Sequence, residues 1–380
     1  MYRHALVIGK FYPPHIGHHH LVRTAAQVAD RVTVVVMASA AESIPLGRRV
    51  AWMRETHRAD RGVTVTGIVC DAPMDFGSDA VWAAQVACMR AAVRTVTGIP
   101  VDAVVSSEKY GDELAQRFSA THVCVDVDRI AYPVSGTACR ADLAGCWDHL
   151  DSPARAGLTT RIVVLGAEST GTTTVSRALA ERYRARGGVW ERTRWVPEYG
   201  RQATLDKLAR MQDLDPAASM DDLTWTGDDF AYIAAEQTRL EEEAARTGSP
   251  VLVCDTDAVA TTVWERRYLG PESRRAWTEV PGRDALYLVT DHVGVPFVQD
   301  GIRDGEHIRA EMTEWFVDML TATGRSWVLL TGTLEERVRL GERVIDQALG
   351  LRMKFGTPLS AATPSGEVGG AADERFGQYT

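Results

Sequence analysis

Twice along this chain of 380 residues, a short apolar run ends in glycine and passes directly into a helical pattern. The first run is Ala5-Leu6-Val7-Ile8-Gly9 and the second is Ile162-Val163-Val164-Leu165-Gly166. Four consecutive apolar residues with no polar alternation suit a strand buried on both faces, as in a parallel sheet. The glycine lets the chain turn sharply, so that a helix N-terminus with exposed N–H groups faces whatever sits at the end of the strand. The feature restricts the chain to doubly wound α/β folds, one for each opening.

The rest of the pattern agrees. Further strands are expected at residues 31–38, 63–70, 103–106 and 122–126, with helices at 48–60, 79–97 and 111–118 between them. In the second half, strands are expected at 162–165, 251–255, 285–289 and 327–330, and helices at 173–186, 229–247 and 310–323. The halves share no sequence period, which points to fusion rather than repetition. The expected division is a first domain over residues 1–150, a linker near 150–157, a second domain over 158–350, and a flexible tail over 351–380. The end of that tail, rich in Gly, Ala, Ser, Thr and Pro, cannot bury much.

Composition then limits the partners. Hydrophobic residues make up 45% and charged residues 24%, ordinary for a soluble protein, and no apolar run approaches the ~20 residues of a membrane span. The first ten residues do not read as a signal peptide. A net charge of −9 argues against nucleic acid as a partner. Anionic ligands must be held locally, by oriented N–H groups and a few placed cations. Cys70, Cys88, Cys124, Cys139, Cys146 and Cys254 show neither CxxC nor zinc spacing, and free thiols in the cytoplasm are the simplest account. No membrane partner is expected, and a homo-oligomer is compatible with the sequence.

Directly after the first run comes Gly9-Lys10-Phe11-Tyr12-Pro13-Pro14-His15-Ile16-Gly17-His18. Leu21, Val22, Ala25, Val28 and Ala29 follow at helical spacing, so the histidines sit where a helix begins. That placement favours phosphate. His15 and His18, three apart, can donate to the same phosphate, and Gly9 and Gly17 allow close approach of the backbone. The plainer reading is a turn with surface histidines. Against it stands the whole string, which resembles the GxFxPxHxGH signature of the nucleotidyltransferase superfamily. Ser135-Gly136-Thr137-Ala138-Cys139-Arg140 is similar to the ISxTxxR motif of that superfamily. The resemblance implies nucleotidyl transfer, in which a phosphate attacks the α-phosphorus of ATP and pyrophosphate leaves. His18, Arg140 and Lys10 would carry the catalysis. Gly9, Phe11, His15, Gly17, Ser135 and Thr137 would bind ATP.

After the second run, Gly166-Ala167-Glu168-Ser169-Thr170-Gly171-Thr172-Thr173 matches a P-loop, except that Thr172 stands where lysine is expected. The backbone nest of Gly166, Gly171, Thr172 and Thr173 can still cradle phosphates, and Thr173 can still reach Mg²⁺. Arg177, Arg303 or Arg309 could supply the missing charge. The run ending Cys254-Asp255-Thr256-Asp257 reads as a strand that carries Asp255 to the metal and Asp257 to an acceptor hydroxyl. A glycine-rich turn with a solvated strand end is the bland alternative. Asp300-Gly301-Ile302-Arg303-Asp304 reads as a lid with an arginine that meets ATP.

Both constellations in one chain resemble NadR-type bifunctional enzymes. The strings 106–114, 125–129 and 196–201, and Thr261-Thr262, add to the resemblance. It implies a Rossmann-like nucleotidyltransferase domain fused to a P-loop kinase domain, both with parallel sheets. The second half would phosphorylate nicotinamide riboside with ATP and Mg²⁺. The first half would adenylylate the resulting nicotinamide mononucleotide to NAD. Glu198 would meet the riboside. Trp82 would stack on nicotinamide, unless it is a core tryptophan. Some members carry an N-terminal helix-turn-helix and act as repressors; here the first strand starts near residue 5, so no operator binding is expected. Two alternatives remain open. In one, Thr172 makes the second half a nucleotide-binding sensor without kinase activity. In the other, the fusion serves coenzyme A assembly.

Overall fold

The computed structural model describes residues 1–73, 75, 77–299 and 305–358. The chain divides into two compact units. One holds Met1–Phe11, His18–Tyr132 and the described residues from Phe355 on; the other holds Tyr12–Gly17 and Pro133–Lys354.

From the N-terminus run β1 (Ala5–Gly9), α1 (Ile16–Val28), β2 (Val32–Ala38), α2 (Leu46–Thr56), β3 (Val63–Val69), α3 (Asp79–Arg94), β4 (Ala103–Ser106), α4 (Gly111–Phe118) and β5 (Thr121–Cys124). The five strands form a parallel sheet in the order β3-β2-β1-β4-β5. Alternate residues of β1 serve opposite faces. Ala5 and Val7 pack with Leu21, Val22 and Met53, while Leu6 packs with Trp82, Val86 and Met89. Helices on both sides therefore keep the strands dry, which is why they read as unbroken apolar runs.

The second unit continues with α5 (Gly136–Ala141), α6 (Ser152–Leu158), β6 (Thr160–Leu165), α7 (Thr172–Arg184), β7 (Arg194–Val196), α8 (Tyr199–Gln212), α9 (Gly227–Thr247), β8 (Val251–Asp255), α10 (Ala258–Leu269), β9 (Leu286–Thr290), α11 (Arg309–Ala322), β10 (Trp327–Leu330) and α12 (Leu334–Arg352). Its parallel sheet has the order β10-β9-β6-β8-β7. Val164 lies opposite Asp255, so the ends of β6 and β8 emerge side by side. The crevice beyond the carboxyl ends of adjacent parallel strands is where such sheets bind ligands.

Three departures from the sequence reading have local causes. The stretch expected to be a linker folds as α6, with Pro153 in its first turn, where a missing N–H costs nothing. Ala154 and Ala156 are buried, and the nearby Trp147 indole donates to the Gly248 carbonyl at 2.9 Å. Helix α9 starts at Gly227 because Thr226 and Asp229 form a capping box, and α12, not anticipated, starts on the same device from Thr333 and Glu336. Helix α12 runs to Arg352; residues 359–380 lie outside the described residues.

Candidate functional site

Beyond β1 the backbone turns through Phe11 at φ +46°, and the Tyr12–Pro13 bond is cis. The two glycines of this loop make room for its own rings. A Cβ on Gly9 would stand 3.1 Å from the Phe11 ring, and one on Gly17 would stand 3.2 Å from the His15 ring. His15 is buried just before α1. His18 is half-buried in the first turn of α1, its ring edge-on to Phe11 with centroids 4.9 Å apart. The first N–H groups of a helix have no partner within the helix, so His18 sits among donors suited to phosphate.

Lys10 is held by Glu42, Nζ to Oε1 at 2.6 Å, and the other Glu42 oxygen meets Nη1 of the fully buried Arg49 at 2.7 Å. Arg49 also donates to the Lys10 carbonyl at 2.9 Å and, twice, to the Ile44 carbonyl. Burial pushes the Glu42 carboxyl up, but the hydrogen bonds from Lys10 and Arg49 outweigh it and hold it below its usual range. This network fixes the loop; its glutamate was not singled out from the sequence because nothing in its spacing marks it.

Ser135 caps α5, its hydroxyl accepting from the Ala138 N–H at 3.1 Å. Arg140 donates Nη1 to the Tyr12 carbonyl at 2.8 Å and Nη2 to the Thr137 hydroxyl at 3.1 Å, and its guanidinium lies over the Tyr12 ring. The serine–threonine–arginine motif and the Tyr12 end of the first loop are therefore brought together. Trp82 is 5% exposed, in the core with Leu6 and Met89, edge-on to Tyr110 and under Arg117. That is the setting of a core tryptophan rather than of a stacking platform.

In the second unit, Gly166 is indispensable: a Cβ there would fall 2.3 Å from the Thr290 hydroxyl and 2.7 Å from that of Thr170. Those two hydroxyls are 2.7 Å apart and close the base of the loop. Ser169 adopts φ +59° and Gly171 φ +88° before α7 begins at Thr172. Thr173 Oγ1 donates to Asp255 Oδ2 at 2.6 Å. Burial raises the Asp255 carboxyl, opposed by hydrogen bonds from Thr173 and Thr172 and by the charge of Arg177. A hydroxyl and a buried carboxylate beside a phosphate nest are the hard oxygens that a small divalent cation takes.

Asp257, at the start of α10, has both carboxylate oxygens engaged within the fold. One oxygen accepts from the Ala260 N–H at 2.9 Å, capping α10, and the other from the Tyr287 hydroxyl at 2.8 Å. Burial raises its carboxyl. Beside it lies a small cavity of about 10 Å³, roughly the space of one water, lined among others by Arg161, Glu241, Arg283 and Tyr287. Glu198 is half-buried at the start of α8. Arg177 is exposed and stacks on Trp195, 4.4 Å from the ring centre. Arg303 lies outside the described residues.

Three further side chains reach the P-loop. Glu168 accepts from the Gly305 N–H at 2.6 Å and pairs with Arg267 at 3.2 Å. Arg309 donates to the Ser169 carbonyl and Arg337 to the Thr170 carbonyl. Arg267 and Arg337 escaped the sequence reading because they lie far along the chain with no motif around them.

Residues 6–141 match the cytidylyltransferase-like family and residues 161–337 match the AAA domain family. The trifunctional NAD biosynthesis/regulator protein NadR of Escherichia coli (strain K12) is 23% identical over 334 residues, covering 83% of this chain and 75% of that protein. A crystal structure of NadR in complex with NR has a TM-score of 0.60 at 19% identity, covering 95% of this chain and 99% of that one. A second, of NadR with NAD and AMP-PNP, has a TM-score of 0.58 at 20% identity, covering 91% and 96%. These structures share the fold of the two parallel-sheet units.

Proposed function

We propose that this NadR-type chain makes NAD in two steps from nicotinamide riboside and ATP. The P-loop unit transfers the γ-phosphoryl group of ATP to the riboside hydroxyl, giving nicotinamide mononucleotide. At the site that begins with Gly9, a phosphate oxygen of the mononucleotide attacks the α-phosphorus of a second ATP. The α–β bridge breaks, pyrophosphate leaves and NAD forms. Both steps need positioning and charge stabilisation rather than a covalent intermediate on the enzyme.

The observation that carries the reading is the coexistence, in one chain, of a His-x-Gly-His helix start after β1 and a P-loop whose Thr173 meets Asp255. Its support is the run of NadR relatives through both, with NR in one crystal and NAD with AMP-PNP in another. His18, in the first turn of α1, would meet phosphate; Arg140, on α5, holds the Tyr12 carbonyl and is the candidate cation of its own unit. Thr173 and Asp255 would hold Mg²⁺, which when bound neutralises charge on the outer phosphates. The free cysteines fit a cytoplasmic setting, and the net charge of −9 fits small-molecule rather than nucleic-acid partners.

Full-length protein given nicotinamide riboside, ATP and Mg²⁺ should accumulate the mononucleotide, then NAD and pyrophosphate. Absence of NAD when the mononucleotide itself is supplied would overturn the assignment. Thr172 favours one second reading, a P-loop unit that binds nucleotide without transferring phosphate. NAD formed from the mononucleotide but never from the riboside would establish it. Preference for phosphopantetheine over the mononucleotide would move the chain to coenzyme A assembly.

A further inference from the structure

An ordinary P-loop brings a lysine charge to the outer phosphates, and here Thr172 occupies that position. Two buried guanidinium groups approach the same loop from elsewhere in the unit. Arg309, at the start of α11, donates Nη2 to the Ser169 carbonyl and to the Val295 carbonyl, both at 3.0 Å. Arg337, in the first turn of α12, donates Nη1 to the Thr170 carbonyl and Nε to the Gly332 carbonyl, both at 2.9 Å. The residues are 8% and 3% exposed.

Neither cation is neutralised by what it touches. Among the described residues, Arg309 and Arg337 form hydrogen bonds to carbonyls and no ion pair, and Arg309 Nε and Arg337 Nη2 are buried without a hydrogen-bond partner. Asp291, just beyond β9, is the carboxylate whose field reaches Arg337. Burying two cations without a contacting anion costs free energy unless one is supplied. The phosphates of a nucleotide on the loop would be that anion.

The geometry also orients the loop. In a trans peptide the C=O and the next N–H point opposite ways. An arginine holding the Ser169 carbonyl turns the Thr170 N–H away from itself, and one holding the Thr170 carbonyl does the same for Gly171. Ser169 is left-handed at φ +59°, a conformation costly for a residue with a side chain, and Arg309 holds its carbonyl in place.

We propose that Arg309 and Arg337 jointly replace the missing P-loop lysine, aiming the loop's N–H groups at the triphosphate and placing positive charge behind it. They are positioning residues, and the inference rests on the kinase reading above. The test measures phosphorylation of nicotinamide riboside by Arg309→Gln, Arg337→Gln and Arg337→Lys, with mononucleotide adenylylation and the melting temperature of each protein as controls. The glutamine variants should raise KM for ATP tenfold or more, with a smaller change in KM for the riboside and normal adenylylation. Arg337→Lys, which keeps the charge and loses the fork, should fall between. Adding Thr172→Lys to either glutamine variant should recover at least threefold in KM for ATP. An unchanged KM for ATP would overturn the proposal. So would a loss that tracks melting temperature and ignores Thr172→Lys, the result of a purely structural role. If Arg337→Gln does not fold, Arg309→Gln and Arg337→Lys decide by the same criteria. A wild-type protein that never phosphorylates the riboside overturns the kinase reading itself, and is told apart from an active wild type with insensitive variants.

Discussion

The Thr173 hydroxyl donates to the Asp255 carboxylate at 2.6 Å, tying the first turn of α7 to the end of β8. The parallel register that puts Val164 opposite Asp255 makes this contact possible. It joins the phosphate nest to its acid without any intervening side chain. Substituting Thr173→Ala should lower riboside phosphorylation by ~10²-fold or more and leave adenylylation of the mononucleotide within twofold, because the loss is confined to phosphoryl-transfer charge stabilisation. Paired assays on one preparation check both values.

His18 projects from the first turn of α1 beside the Phe11 ring. His18→Ala should reduce kcat for adenylylation by ~10²–10³ through the loss of a transition-state phosphate contact. The melting temperature should stay within about 2 °C. Steady-state kinetics alongside calorimetry measure the two; a kcat loss below fivefold removes His18 from the mechanism.

Glu42 bridges Lys10 and the buried Arg49. Glu42→Gln leaves a buried guanidinium facing a neutral amide and should destabilise the protein by about 3 kcal/mol at pH 7. The native Glu42 carboxyl is depressed, so its stabilisation is present above the ordinary carboxylate range and is lost as pH falls through the native value. Urea unfolding at pH 7 and at pH 3.5 should show the gap between wild type and variant narrowing in acid.

Glu241 shows the opposite sign. Burial, and then the charge of Asp257, push its carboxyl up to about 7 against the pull of Arg283 and Arg161. A raised native pKa gives stability that is full below the unfolded value near 4.5 and disappears as pH rises through about 7. Glu241→Gln resembles the protonated form at every pH. Its melting temperature should fall less than that of wild type between pH 5 and pH 8, read by scanning calorimetry at matched ionic strength. A variant less stable than wild type at pH 8 would mean that the Arg283 contact at 2.8 Å dominates.

What could be read from the residues alone was whatever one strand and its following turn contain. Both glycine-ended runs became central strands, residues 103–106, 251–255 and 327–330 matched their strands end for end, and 111–118 matched its helix. Strand β7 and helices α6, α8, α10 and α12 were not foreseen. Helix α10 has residues 258–263 all buried, so no polar face gave it a helical signature. Site chemistry followed the same rule. Thr173 and Asp255, which meet at 2.6 Å, each drew notice from a local string, whereas the Glu42 network and Arg337 depend on tertiary approach across tens to hundreds of residues. Thr290 likewise became visible only through the space that Gly166 lacks.

Asp257 carries a practical warning. Its two oxygens hold the start of α10 and the Tyr287 phenol. An alanine or asparagine placed there as a dead-enzyme control would loosen a helix start and unsettle a buried tyrosine, and the silence of such a protein would say little about phosphoryl chemistry. Asp255, whose carboxylate faces Thr173, is the sounder position from which to switch the reaction off.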